Sequence, residues 1–291
     1  MNIEEFKDQY DEYVQEDVDV ADDYLDKIEK HFLAYLKNPT DRQSEIFRNL
    51  RDAFILALLT DLFKKWKRQS KATSTISYDM TKEQVKDIKT VRKDITSSVV
   101  KNLYKSKLNS YLADVTYVLQ AIKTNSEQII SEIESNLEQS RKQVGLEIMQ
   151  EYKKYGITYF TKTDGSRMDI SNYVKMKTSD VVISTFRNAF FAEMLAKGVE
   201  LVQVKRLPTT AVECDNCRPY DEKVLSLQEK EGYESIATAK MNGLFHNNCW
   251  HYTIPFVDEP TEEQRTIKHS EDNKKTYARN IKKGIKKSLI D

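Results

Sequence analysis

Apolar residues recur at steps of three and four over most of the first half of the chain, which is the spacing of amphipathic helices. The first stripe follows Pro39, a second begins at Val100 and a third begins at Ile129. No glycine precedes Gly145 and no proline lies between Pro39 and Pro208, so helix-breaking residues are absent over a long stretch. The pattern predicts long helices whose apolar faces form a bundle or a coiled coil. The stripes comprise Phe47, Leu50, Phe54, Leu58 and Leu62; Val100, Leu103, Leu108, Tyr111, Val115, Val118 and Ile122; and Ile129, Ile133, Leu137, Val144 and Ile148.

Local signals predict where these helices begin and end. The segment from Thr40 to Gln43 (TDRQ) has the pattern of a capping box, with Thr40 as the N-cap. The segment 71–82 (KATSTISYDMTK) lacks helical periodicity and predicts a loop. The sequence 124–126 predicts a break between two helices, with Asn125 as the N-cap of the second.

After Gly145 the pattern changes to short β-prone segments and one further helix. Two such segments flank Asp164-Gly165, which predicts a hairpin. Ser171 is placed to cap a helix, and Gly198 is placed to end it. The segments VELVQVKRL and YTIPF then predict two strands.

The fold class predicted from these patterns is a helical N-terminal half joined to a small α+β domain with a Cys/His cluster. We expect a helical docking or stalk region over residues 1–150 and the α+β domain over residues 151–260. Residues 261–291 are polar and basic, a composition that predicts a tail outside both of these regions.

The cysteines and two of the four histidines gather in two short segments of the α+β domain. Cys214 and Cys217 form a Cys-x-x-Cys pair, and His246 and Cys249 form a His-x-x-Cys pair about thirty residues later. Thiolates and imidazoles in a set of four suit tetrahedral zinc, so this spacing predicts a zinc site. His251 could replace His246 as a ligand or could contact a ligand from outside the set of four. Because the protein would fill all four positions, the site would be structural.

Three other interpretations of the same residues remain open. Cys214 and Cys217 could form a reversible disulfide outside a reducing compartment. Cys249 could be a small buried apolar residue. The histidines could donate hydrogen bonds to backbone carbonyls in a core.

Charge and composition limit the function classes. Acidic and basic residues balance at 46 each, unlike a uniformly basic nucleic-acid-binding protein. The most apolar run, Ala53 to Leu59, is too short to span a bilayer, and the acidic N-terminus lacks the apolar core of a secretion signal. Three cysteines are too few for a disulfide framework, which favours a reducing cytoplasm at synthesis.

The tail is the one strongly basic segment. Basic side chains in such a run can neutralise phosphates, so they predict a nucleic-acid contact. The alternative is a solvated tail that keeps the protein soluble, and Gly284 weakens any helix there. The residues are Lys274, Lys275, Arg279, Lys282, Lys283, Lys286 and Lys287.

Three blocks of the sequence resemble phage minor capsid proteins, a family related to the head-morphogenesis protein of phage Mu. They are the strand, hairpin and helix from Tyr155 to Thr178, CDNCRPYDEKVLSL from Cys214, and GLFHNNCWHYTIPF ending at Phe256. Trp250 departs from the family, which usually has arginine there. The resemblance implies a low-copy structural protein of a tailed-phage head that enters through the portal during assembly, and some such proteins touch DNA.

We therefore expect a structural protein of head morphogenesis and not an enzyme, located in the virion head and, during assembly, in the host cytoplasm. The expected partners are the portal protein, the major capsid or scaffold protein, further copies of the chain and, through the tail, packaged DNA; no membrane is expected. The alternative is a metal-dependent enzyme or effector delivered with the genome, with Asp215, Asp221 or Glu222 and His251 handling protons. A free-standing nucleic-acid-binding protein is the third reading, and only the tail supports it.

Overall fold

A computed structural model describes residues 3–84, 97–136, 140–206, 216–246, 249 and 251–256. The predicted fold class is confirmed, since four long helices precede a small region of strands and short helices that carries a Cys/His cluster. In chain order the elements are α1 (Ile3–Lys37), α2 (Asp41–Gln84), α3 (Ser97–Ser135), α4 (Arg141–Tyr155), β1 (Tyr159–Thr161), β2 (Arg167–Asp169), α5 (Ile170–Ala196), β3 (Leu201–Arg206), a 3-10 turn (Arg218–Tyr220), β4 (Val224–Ser226), α6 (Ile236–Met241) and β5 (His251–Pro255).

The chain divides into two compact units. We call Lys7–Gln69 together with Ser106–Val181 the helical unit. The mixed unit comprises the described residues within Met1–Phe6, Ser70–Lys105 and Val182–Asp291. Both units take residues from α2, α3 and α5, so each draws on both halves of the sequence. The division at residues 150 and 260 stays a prediction.

The helical unit has one apolar core, built from residues of the predicted stripes and from residues of α1, which lies before those stripes. Trp66, Phe32 and Phe47 are among its largest fully buried side chains. The other buried members include Ala21, Leu25, Ile28, Leu36, Ile55, Leu58, Leu62, Leu108, Val115, Val118, Leu119, Ile122, Ile130, Ile133, Val144 and Val174. Because α1 to α5 all contribute to this core, the amphipathic faces meet as a bundle, as ridges of side chains packing into grooves require.

One glycine sets how closely α1 and α4 approach. A Cβ atom added at Gly145 would lie 2.4 Å from the backbone oxygen of Leu36, closer than any real contact of that kind. The lack of a side chain therefore lets the two helices touch at this point. The sequence marks Gly145 only as the end of a glycine-free stretch.

Several predicted ends of helices and turns are confirmed. The backbone N–H of Gln43 donates to Thr40 Oγ1 at 3.2 Å, so Thr40 caps α2. Gly198 has φ +75°, and the N–H of Val199 donates to the Met194 carbonyl at 2.9 Å, which is a left-handed end to α5. β1 and β2 pair as an antiparallel hairpin around Asp164-Gly165, with Phe160 opposite Met168.

The start of α5 differs from the prediction by two residues. The helix begins at Ile170, and the carboxylate of Asp169 accepts a hydrogen bond from the N–H of Ser171 at 2.8 Å. Asp169 is therefore the cap, and Ser171 lies inside the first turn. The Ser171 hydroxyl bonds instead to Asp22 of α1, a tertiary contact that local spacing does not show.

The predicted loop at 71–82 is wrong, because α2 continues to Gln84. A stripe of small hydroxyl residues replaces the apolar stripe there, and it is buried at helical spacing: Ser70, Thr73, Ser77 and Thr81. Ser77 Oγ donates to the carbonyl of Phe186 on α5 at 2.8 Å. Close packing of small polar residues thus maintains a helix that hydrophobic periodicity does not reveal.

The predicted break at 124–126 is also wrong, because α3 runs without interruption to Ser135. Asn125 does not cap a helix. Its side-chain amide donates to the carbonyls of Ile157 at 3.1 Å and Tyr159 at 2.9 Å. Asparagine often caps helices, but Asn125 lies within α3 and binds the backbone of the segment that leads into β1.

The mixed unit contains a three-stranded antiparallel sheet in the order β4–β3–β5. The two predicted strands are its centre, β3, and one edge, β5, with Val204 opposite Thr253. Its apolar core comprises Phe190, Phe191, Met194, Val199, Val202, Val204, Cys217, Tyr220, Leu225, Leu227, Ile236, Ala239, Leu244 and Cys249. Among the described residues, none of the helices has the length and apolar character needed to span a bilayer.

Candidate metal centre

The cluster is built from two turns beside the sheet. Cys217 directly precedes the 3-10 turn, and its carbonyl accepts from the N–H of Tyr220 at 2.9 Å. His246 follows the turn that ends α6, and Cys249 precedes β5. The N–H of Cys249 donates to the His246 carbonyl at 3.0 Å, so the backbones of these two residues are in direct contact. Both cysteines are buried in the mixed unit's core, and His246 is half-buried.

Cys217, His246 and Cys249 converge on one point. Their ligand atoms all lie within 4.8 Å of one another, so the three side chains could hold a metal ion. Cys217 Sγ and His246 Nε2 are 3.4 Å apart. A tetrahedral zinc ion with sulfur at ~2.3 Å and nitrogen at ~2.0 Å separates those two atoms by about 3.5 Å. Two thiolates and an imidazole are also a donor set that zinc prefers, so these residues fit the ion.

Cys214, the other predicted ligand, lies outside the described residues. The fourth position therefore stays a prediction, as do the ligand roles of the three residues that meet. Among the described residues, neither Cys217 nor Cys249 forms a disulfide. Cys249 does occupy an apolar core, as the packing interpretation requires. Packing alone, however, does not call for two sulfurs and a ring nitrogen at these separations.

Arg187 fixes the segment that carries Cys249, and sequence reasoning missed it. Its guanidinium, on α5, donates to the carbonyl of His251 at 3.0 Å and also to the carbonyl of Cys249. It lies 4.3 Å from the ring centre of Phe245 and is buried. The signal was available, since Arg187 is the one charged residue in an apolar run from 181 to 192.

His251 lies beside the cluster, with both ring nitrogens engaged. Nδ1 is 3.4 Å from Cys249 Sγ, and Nε2 contacts a carboxylate oxygen of Asp221. Burial favours a raised pKa for the Cys249 thiol, but the His251 hydrogen bond and the Arg187 guanidinium outweigh burial and lower that pKa. Burial favours a lowered pKa for His251, but its hydrogen bonds to Cys249 and Asp221 outweigh burial and raise that pKa. Both shifts favour the thiolate, the form that binds metal.

Comparison with known families decides what kind of protein carries this cluster. A family model described as phage minor capsid protein 2 matches residues 140–287, just over half of the chain. The chain belongs to the phage minor capsid protein 2 family. The resemblance seen in the three sequence blocks is thereby confirmed, and the matched region contains Cys217, His246 and Cys249. Neither the curated proteins nor the solved structures yield a match.

Membership of the minor capsid protein 2 family gives the chain a structural part in the phage capsid and a place in the virion. The matched region also extends over the basic tail. The tail residues predicted to contact nucleic acid, Lys274 to Lys287, lie outside the described residues, so that contact stays a prediction.

Proposed function

We propose that the chain is a structural minor capsid protein of a tailed-phage head, associated with the portal and the capsid interior. The match to the minor capsid protein 2 family carries this proposal. The two units are suited to a structural role. The helical unit offers long helix surfaces, and the mixed unit contains a cluster that could hold a metal ion. No catalytic role is proposed for any residue.

Mass spectrometry of purified virions, with copy number, tests the location. We expect a few copies per particle, released only when the head is opened, and contacts to portal or scaffold peptides after cross-linking. Absence from the particle contradicts the proposal. Recovery of the protein on the outside of intact heads contradicts its interior position.

For docking, we propose that the helical unit supplies the surface that meets portal, major capsid or scaffold subunits. Leu56 on α2 and Tyr117 on α3 support this, since these large apolar side chains are 66% and 79% exposed. Leu56→Glu and Tyr117→Glu are expected to reduce incorporation into heads without unfolding the protein. Thr75→Glu, at an exposed position 19 residues further along α2, is the control. Equal incorporation of all three variants contradicts the docking surface.

For the metal, we propose structural zinc held by Cys217, His246 and Cys249, with Cys214 as the fourth ligand. The close fit of the Cys217–His246 separation to a tetrahedral edge supports zinc. Protein purified under reducing conditions should contain about one zinc per chain. Cys217→Ser should lose it, while Gln228→Ala, at an exposed position of the same unit, should keep it. Zinc that survives Cys217→Ser contradicts the site.

For the tail, we propose contact with packaged DNA. The seven basic residues between Lys274 and Lys287 support this, because each phosphate they neutralise adds to the salt dependence of binding. DNA retention should weaken as salt rises and should vanish when residues 274–291 are deleted. Unchanged retention after deletion contradicts the contact and favours the solvated-tail interpretation.

The alternative is a metal-dependent enzyme, whose catalytic zinc would have three protein ligands and an open position. Cobalt-loaded protein distinguishes the two, because azide changes the visible spectrum only of a metal with an exchangeable position. We expect no change in the wild-type chain and a change in Cys214→Ser. A response in the wild-type chain favours the enzyme.

A further inference from the structure

We propose that Asp221 and His251 are a positioning pair that holds the Cys249 sulfur on the metal from outside the ligand set. This inference rests on the metal site proposed above and assigns residues that surround it. It places His251 in contact with a ligand, Cys249, and no longer as an alternative ligand.

Geometry separates His251 from the residues that converge. The mutually close group contains Cys217, His246 and Cys249 and does not include His251. His251 Nδ1 reaches one member only, Cys249 Sγ, at 3.4 Å. His246 Nε2, by contrast, lies within the group and 3.4 Å from Cys217 Sγ. His246 is therefore placed as the imidazole ligand, and His251 lies behind one of the sulfurs.

Asp221 occupies one ring nitrogen of His251. An ionised carboxylate only accepts, so Nε2 carries a hydrogen that it donates to Asp221. The other nitrogen, Nδ1, contacts Cys249 Sγ from outside the group of three mutually close ligand atoms.

The pair also joins the two segments that bring the cysteines. Asp221 follows the 3-10 turn that Cys217 begins, and His251 opens β5 two residues after Cys249. A hydrogen bond between Asp221 and His251 therefore ties the Cys217 turn to the Cys249 strand. Arg187 also binds the backbone of this segment, through the carbonyls of Cys249 and His251. Partners in this outer position commonly change metal affinity by about 10- to 100-fold.

Cobalt binding to the purified, reduced full-length protein tests the pair. Affinity is measured by competition with a chelator for wild type, Asp221→Asn, His251→Ala and the double variant. Glu229→Gln, which removes an exposed carboxylate from the same unit, is the control. Each single variant should weaken cobalt binding by about 10- to 100-fold. The double variant should bind no more weakly than His251→Ala, because Asp221 acts through His251.

The cobalt spectrum supplies the readout that a loss of packing does not change. At saturating cobalt, His251→Ala should keep the thiolate charge-transfer bands and the ligand-field bands of wild type. Ligand-field bands that change as for a lost nitrogen would show that His251 is a ligand and overturn the proposal. Unchanged affinity in Asp221→Asn, an isosteric variant expected to fold, also overturns it.

The result for wild type separates this inference from the metal site itself. A wild-type chain that binds no cobalt overturns the metal centre and the pair together. Tight binding that neither variant alters overturns the pair alone. Neither result bears on incorporation into virions, which tests the capsid role.

Discussion

Long helices in one unit and short strands in the other bury their residues in different ways. The helical unit collects aromatic and aliphatic side chains from five helices, with Trp66 and Phe32 fully buried. The mixed unit has strands of three to six residues, and its core includes the sulfurs of Cys217 and Cys249. Burial of apolar surface stabilises the folded state by about 25 cal/mol per Å². Long amphipathic helices therefore gain more stability from burial than short strands and turns do. A bound metal ion would therefore contribute most to the stability of the mixed unit.

Metal removal should produce the largest difference in stability between the two units. A chelator under reducing conditions should open β3, β4 and β5 and leave the helical unit folded, because a structural zinc contributes about 10–16 kcal/mol in small domains. Hydrogen exchange resolved along the chain is the measurement. Protection should fall in the sheet and persist around Ile28 and Leu58, both of which are fully buried in the helical unit. Equal loss in both units, or no loss in either, contradicts the contrast.

Trp66→Ala should have the converse effect. Trp66 is fully buried, and its Nε1 donates to Thr178 Oγ1 at 3.0 Å. Removing the ring should cost the helical unit about 3–5 kcal/mol and leave zinc content unchanged. Urea unfolding measures the loss of stability, and metal analysis measures the zinc content. Tyr117→Ala, at a side chain that is 79% exposed, should change stability by less than about 0.5 kcal/mol. Zinc loss in Trp66→Ala would show that the two regions are not independent.

Asp17 should make the stability of the helical unit depend on pH. Its buried carboxylate accepts from Thr178 Oγ1 at 3.0 Å and Gln69 Nε2 at 3.2 Å, and burial raises its pKa to about 6. The folded state therefore holds the proton more tightly than the unfolded state, whose pKa is the ordinary 3.8. Stability should fall by about 3 kcal/mol as pH rises from 4 to 6 and then level off.

Asp17→Asn isolates that effect. Urea unfolding between pH 4.5 and 7.5 should show the fall in wild type and in Asp19→Asn, an exposed position on the same helix. The Asp17→Asn variant should lack it. If the free energies of unfolding of wild type and Asp17→Asn differ by the same amount at every pH in this range, the raised pKa of Asp17 is not the cause of the pH dependence.

Arg187→Met should give the smallest of these effects, confined to the mixed unit. It would leave the carbonyls of Cys249 and His251 without their buried donor, at a cost of about 1–3 kcal/mol. Faster hydrogen exchange in β5 and weaker zinc binding are the expected readouts. Arg218→Met, at an exposed position beside Cys217, is the control. Identical exchange in β5 for both variants would mean that Arg187 does not position the strand.

Local chemistry was enough to predict most elements and the approach of the two ligand segments. Thr40, Gly198 and the Asp164-Gly165 turn act within a few residues, so their patterns are complete in the sequence. The spacing of Cys217, His246 and Cys249 predicted a cluster, and the structure brings these three together. Sequence reasoning also placed the chain among phage minor capsid proteins, because three blocks keep their order and spacing.

The errors share one cause, which is that the partner lies far away along the chain. The hydroxyl stripe at Ser70 to Thr81 looks like a loop until α5 packs on it, and Asn125 looks like a cap until the carbonyls of Ile157 and Tyr159 accept from it. Arg187 and the Asp221–His251 pair likewise depend on segments 30 to 64 residues apart. The sequence by itself determined the helical character of the first half, several turns, the residue types of the cluster and the family, since these follow from neighbouring residues. Only the tertiary structure decided which polar groups meet, because a buried polar group takes whichever distant partner the packing brings within hydrogen-bond reach.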